Sequence, residues 1–193
     1  CDDASTDSTV GIIRDYASHA ASQVRIFVND RNLGFSANFA QALSKCCGDV
    51  IFLSDQDDVW LPSKLEKFVD IFSRDPLVGL AFCDALLVDE NLTSLGRTWW
   101  QSRRFDRQHQ KQLVGVRGAA IILKDPTWMA AGATMAFRAA HRGLVEPIPE
   151  GWTHDAWIAT IVSAHSRVAL VSEPLNLYRQ HALQVYGASV STS

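Results

Sequence analysis

The sequence predicts an α/β domain with a Rossmann-like, mostly parallel sheet and helices on both faces. β-rich and helix-patterned segments alternate through the first half in the order β-α-β-α-β, which is the doubly wound arrangement. The runs "VIFL" and "LVGLAFCDALLVDE" are apolar without alternation, as expected of strands covered on both faces. Between them, "LPSKLEKFVDIFSRDP" sets Leu65, Phe68, Val69 and Phe72 at i, i+3, i+4 and i+7, with Pro62 near the start and Pro76 as a stop.

The elements follow in order. In "STDSTVGIIRDYASHAA", Val10, Ile13 and Tyr16 share a helical face behind the capping candidates Ser5, Thr6 and Asp7, so a helix is expected from near Thr6. "QVRIFV" reads as a short strand. In "NDRNLGFSANFAQALSKCCGD" Gly34 allows a turn and Ser36 caps a helix bearing Phe39, Leu43 and Cys46 or Cys47, with Gly48 as its C-cap. The second half is less regular: a polar and aromatic stretch, "RTWWQSRRFDRQHQK", precedes the apolar "GATMAFRAA". A helix over "HDAWIATIVSAHS" and a strand "RVALVS" follow. One domain is expected over residues 1–182, and the small, polar tail 183–193 is expected to fray.

Composition narrows the function classes. With 193 residues, 47% hydrophobic and 20% charged, the chain can bury an ordinary globular core. A net charge of -3 with scattered Lys and Arg gives no basis for nucleic-acid binding. The four cysteines, Cys1, Cys46, Cys47 and Cys83, have neither C-x-x-C spacing nor companion histidines, so a zinc site or disulfide framework is not supported and a reduced, cytoplasmic setting is expected. The stretch from Val114 to Phe137 is interrupted by Arg117, Lys124, Asp125 and Pro126 and cannot span a bilayer.

The chemistry concentrates in "DQDDVW". Asp55, Asp57 and Asp58 directly follow a buried strand, where unpaired carboxylates are costly, so something positive is expected beside them. In an open α/β sheet ligands bind beyond the carboxyl ends of strands, and the acids Asp2 and Asp3 fall at the same edge by this reading. Carboxylates so placed can hold Mg²⁺ or Mn²⁺ together with substrate phosphates. The structural alternative for Asp57 and Asp58 is an N-cap and first-turn acids for the helix at Pro62. Asp155, in "THDAW", reads on residues alone as a helix N-cap.

Taken together, "CDDASTDST", "NDRNLGFSANFAQAL", "GDVIFLSDQDDVWLPSKLEKF", "GATMAF", "WTHDAWIA" and "EPLNLYRQH" resemble the family 2 glycosyltransferases of the GT-A fold, with rhamnosyltransferase-like members closest. Family members begin with a strand and a helix ahead of the "DD". The resemblance therefore implies an N-terminally truncated domain, with residues 1–90 as the nucleotide-sugar-binding half and 91–182 as the acceptor-binding half. It implies a metal-dependent inverting transfer, from a nucleotide-diphosphate sugar to a glycan or lipid-linked acceptor, in bacterial surface polysaccharide synthesis. The lipid-linked option would bring the chain to the inner face of the membrane.

Residue by residue, the resemblance assigns Asp3 to the nucleotide base with Asp2 beside it, Asp57 to the donor ribose and metal, Asp58 to the metal, and Asp155 to the catalytic base. Asp55 would hold the loop or reach the metal through water. Arg179 and His181, in "YRQH", would supply diphosphate or metal contacts, and His154 and Asn38 would face acceptor and donor. Trp99, Trp100 and Trp152 are candidates for an aromatic platform under a sugar ring. Two rivals remain open on sequence: phosphoryl transfer through an aspartyl nucleophile, and an inactive sugar-nucleotide-binding module.

Overall fold

The computed structural model describes residues 1–114, 118–125 and 131–181. Its helices are α1 (Thr9–His19), α2 (Phe35–Lys45), α3 (Lys64–Arg74), α4 (Trp99–Ser102), α5 (Arg107–Val114), α6 (Gly118–Lys124), α7 (Arg142–Val145) and α8 (His154–His165). Its strands are β1 (Val50–Phe52), β2 (Val59–Trp60), β3 (Val78–Val88), β4 (Ser94–Thr98), β5 (Met135–Arg138) and β6 (Arg167–Arg179). They form one sheet in the order β1-β5-β3-β6-β2, with β4 paired to the far end of β3.

The α/β expectation holds, with helices on both faces. Leu80 and Phe82 of β3 pack with Ile51, Met135, Phe137, Leu43 and Ile158 on one face. Ala81 and Cys83 pack with Phe68 and Phe72 of α3 on the other. This explains why β3 reads as an unbroken apolar run.

The mostly parallel sheet is corrected to a mixed one. Among the named strand pairs only β3 and β6 run parallel; β5 is inserted antiparallel between β1 and β3, and β2 lies antiparallel on β6. The strands that point toward the acid turn, β1, β3 and β6, do share one direction. Pairing between β3 and β6 shifts register near Cys83 and Asp84, letting β6 run on through "EPLNLYR". That continuation, not expected from its Pro and charges, carries Asn176 and Arg179 back to the acids.

Smaller differences are local. "QVRIFV" contributes only an isolated parallel bridge between Val28 and Asp2. Helix α1 starts at Thr9, where Asp7 Oδ1 accepts from Thr9 N at 2.9 Å. Gly34, at φ 83°, is itself the N-cap of α2, and Cys46 replaces Gly48 as its C-cap. The Ser36 hydroxyl is not a cap and donates to Trp152 O at 3.1 Å, joining α2 to the loop before α8. The expectation of a frayed tail at 183–193 lies outside the described residues. No helix among the described residues is long and apolar enough to cross a membrane.

Candidate active site

β1 delivers its chain directly into the acid turn, and β6 closes over it. Asp58 accepts from Asn176 Nδ2 at 2.9 Å and from Arg179 N at 3.0 Å. Asp57 accepts at its carbonyl from Arg179 Nε at 2.7 Å, while its Oδ2 lies 3.0 Å from His181 Nε2. The Arg179 guanidinium also reaches Glu90 O, beyond the end of β3. Arg179 thus lies beside the acids and fixes the turn.

Burial pushes the Asp55 carboxyl up to about 7, helped by the charges of Asp58, Asp57 and Asp155. Asp58 rises to about 6, chiefly through burial, with Arg179 N and Asn176 opposing the rise and Asp57 adding to it. The turn is thus the electrostatic liability its sequence suggests.

A positive group that the sequence reading did not foresee, Lys64, the first residue of α3, acts against the rise of both carboxyls. It is 0% exposed, donates to Ala133 O and to Asn176 Oδ1 (3.3 Å), and lies 4.2 Å from the centre of the Trp60 ring. Burial lowers its pKa to about 8, while Cys83, Asp58 and Asp55 act to hold its proton. Sequence reading did not single out Lys64 or Asn176. The available signal for Lys64 was its i, i+4, i+8 row with Phe68 and Phe72, all three buried, whereas Leu65 and Val69 are each 49% exposed.

Asp155 sits in the first turn of α8, after the N-cap Thr153, so it is not the cap; its Oδ1 accepts from Ala156 N at 2.8 Å. It belongs to the same electrostatic neighbourhood, since its charge contributes to the raised pKa values of Asp55 and Tyr178. Gly132 makes the junction. A Cβ there would stand 3.0 Å from His154 Nε2, 3.6 Å from Asp155 Cβ and 3.7 Å from Leu53 Cδ1, just past β1. His154 is 6% exposed and stacks on Phe39 with ring centres 3.7 Å apart; among the described residues neither ring nitrogen has a hydrogen-bond partner, and burial lowers its pKa, with Asp155 opposing.

The N-terminal acids are differently engaged. Asp2 is buried and accepts from Ser5 N at 3.0 Å and Ser5 Oγ at 2.5 Å. Asp3 accepts from Asn29 Nδ2 (2.8 Å), Leu33 N (2.8 Å) and Gly34 N (2.9 Å). Burial would raise its pKa, but these bonds outweigh it and leave the carboxyl below the ordinary range. Asn38 joins this network, accepting from Asn29 Nδ2 at 3.1 Å and donating to Cys1 O at 3.1 Å. These residues fix the loop ahead of α2 at the strand edge.

The proposed aromatic platform is corrected for two of its members. Trp99 and Trp100 are each 3% exposed and belong to the core, Trp99 against Tyr178 and Trp100 against Phe105. Their place is explained by Asp84, which accepts from Trp100 N at 2.9 Å and draws α4 onto the sheet. Trp152 is only half-buried and stands edge-on to Trp157, with ring centres 5.3 Å apart.

Among the described residues no three His, Cys, Asp or Glu side chains form a closed metal cage. Mg²⁺ and Mn²⁺ need only one or two carboxylates when phosphates complete the shell. The oxygen donors of Asp57 and Asp58, with like charge left in excess around them, fit that partial site.

A mixed α/β sheet with an acid turn at the end of β1 is a fold shared with solved glycosyltransferases of the GT-A class. The fold matches Staphylococcus aureus TarS, solved with UDP-GlcNAc, at TM-score 0.71 and 19% identity over 93% of this chain and 48% of TarS. It also matches the mannosyltransferase PcManGT of Pyrobaculum calidifontis, solved with GDP-Man and Mn²⁺, at TM-score 0.63 and 18% identity over 97% of this chain and 48% of that one. Glycosyltransferase EpsE of Bacillus subtilis is 34% identical over 90 residues, 47% of this chain and 32% of EpsE. The chain therefore spans about a third of EpsE and about half of either solved structure. The sequence model of glycosyl transferase family 2 matches residues 1–128, and the chain belongs to that family.

Proposed function

We propose that this chain forms the donor-binding and catalytic part of a metal-dependent, inverting glycosyltransferase. It would move a sugar from a nucleotide-diphosphate donor to a hydroxyl of a glycan or lipid-linked saccharide, with rhamnose as a candidate sugar and bacterial surface polysaccharide as the setting. The observation that carries this reading is geometric: Leu53, which leads into the Asp55–Asp58 turn, and Asp155 of α8 both pack around Gly132, bringing acids from elements far apart in sequence into one region. The UDP-GlcNAc and GDP-Man bound by relatives of the same fold support the donor class.

Asp58 and Asp57, with His181 beside Asp57, would hold Mg²⁺ or Mn²⁺, which when bound supplies positive charge for the departing diphosphate. Asp155 takes the proton of the acceptor hydroxyl as its oxygen bonds to the anomeric carbon and the bond from that carbon to the diphosphate oxygen breaks. One displacement with no enzyme nucleophile inverts the centre. Asp3 and Asn38 hold the loop that flanks the nucleotide, and His154 and Trp152 line the acceptor side. Residues 1–90 serve the donor and 91–182 the acceptor, with Asn176, Arg179 and His181 returning to the donor side. A lipid-linked acceptor would place the chain at the inner face of the membrane.

The test supplies UDP-GlcNAc, GDP-Man and dTDP-rhamnose in turn with Mn²⁺ and follows the configuration of freshly released or transferred sugar by NMR. Inversion is expected, with loss of turnover in Asp155→Asn. Retention of configuration, or a trapped covalent enzyme intermediate, contradicts the mechanism; binding without turnover by any donor would favour the inactive module.

A further inference from the structure

A fully buried lysine needs a reason, because desolvating an ammonium is expensive unless it is paired and hydrogen-bonded. Here the reason lies on two sides. Toward β6, Lys64 Nζ donates to Asn176 Oδ1, which fixes the orientation of that buried amide and turns its Nδ2 onto Asp58 Oδ2. Toward β5, the same ammonium donates to Ala133 O. Ala133 lies in the tight turn Gly132–Thr134, and Gly132 is packed against His154 and Asp155 at the start of α8. One side chain thus ties the acid turn to the segment on which the proposed base rests.

We propose that Lys64 is a built-in counter-cation and positioning residue. Its charge sits behind the Asp55–Asp58 turn, and its two hydrogen bonds hold Asp58 and the start of α8 in fixed relation. Lys64 is fully buried whereas Asp55, Asp57 and Asp58 are only partly so, which leaves the exposed part of the turn for a cation and diphosphate. The catalytic consequence rests on the function proposed above; the charge pairing does not.

The test is a suppressor comparison of thermal stability in EDTA, using Lys64→Met, Asp55→Asn and the double variant. Among the described residues the Asp55 carboxylate takes no hydrogen bond, so Asp55→Asn removes charge with little else. Lys64→Met is expected to lower Tm by roughly 6–20 °C, on the scale of removing a buried, hydrogen-bonded cation from beside buried carboxylates in a chain of this size. Adding Asp55→Asn is expected to restore at least about a third of that loss, because the uncompensated repulsion is relieved. A double variant no more stable than Lys64→Met overturns the proposal, and so does failure of both to fold while Asp55→Asn alone folds.

Mn²⁺ supplies a second readout. It is expected to raise the Tm of Lys64→Met more than that of the wild type, since the added cation replaces the lost one; equal shifts count against the pairing. No Mn²⁺ shift in any variant would speak against the metal reading, while the suppressor comparison would still decide the role of Lys64.

Discussion

Two pairs of adjacent aspartates, Asp2 with Asp3 and Asp57 with Asp58, solve the problem of their charge in opposite ways. Asp3 is satisfied by neutral donors from the loop at 29–34, and its carboxyl falls below the ordinary range. Asp58 is also hydrogen-bonded twice, yet burial and the neighbouring Asp57 raise it to about 6. The first arrangement is complete in itself and builds a loop. The second retains an excess of negative charge even after Lys64 and Arg179 have contributed, which is the condition for recruiting a cation.

The largest effect that would sharpen this contrast is on turnover. Asp155→Asn should lower the transfer rate by roughly 10²–10⁴-fold, the usual range for a general base, while a nucleoside diphosphate binds nearly as before. A comparable loss of nucleotide binding would show that Asp155 belongs to the donor side. Next comes stability: Trp100→Ala should destabilise the fold by about 3–5 kcal/mol in denaturant titration, as for a large core aromatic. Wild-type stability with weaker acceptor binding would restore the platform reading.

A smaller effect separates the two acid pairs by pH. Asp55 and Asp58 bind protons more tightly folded than unfolded, so the folded state carries more protons between the ordinary aspartate value of 3.8 and about 7. Their contribution to the stability of the metal-free protein therefore falls as pH rises through that window. Asp3, held low, contributes stability above the ordinary value and loses it as pH falls. Tm measured in EDTA from about pH 4.5 to 8 should carry a more negative slope in the wild type than in Asp55→Asn, the lowered pKa of His154 acting the opposite way in both; equal slopes would contradict the assignment. Smallest of all, Asp3→Asn should cost about 1 kcal/mol through the loop at 29–34, the scale of an exchanged hydrogen bond, and leave the Mn²⁺ response intact.

Much of this was legible in the sequence because periodicity reports burial. The apolar runs became β1 and β3, and Phe68 and Phe72 mark the buried stripe of α3. The acids were legible as a cluster because nothing in a local reading makes three carboxylates cheap. What stayed hidden depends on contacts distant in sequence. Lys64 opens a polar first turn, where lysines are normally solvated, and its burial is made tolerable by Ala133, Asn176 and the Trp60 ring. The extension of β6 through Pro174 was obscured because a register shift against β3 accommodates it. Trp99 and Trp100 looked like ligand-facing aromatics because their partner Asp84 lies in a strand that reads as wholly structural.

The central claim is that the Asp55–Asp58 turn is half of a site completed by a divalent cation and a nucleotide diphosphate. Thermal stabilisation by UDP, GDP and dTDP, each with and without Mn²⁺, tests it most directly, with Asp58→Ala as control. At least one diphosphate should raise Tm by roughly 5–10 °C at saturating concentration, only when Mn²⁺ is present and not in Asp58→Ala. No shift with any of the three, or an equal shift in Asp58→Ala, would contradict the account.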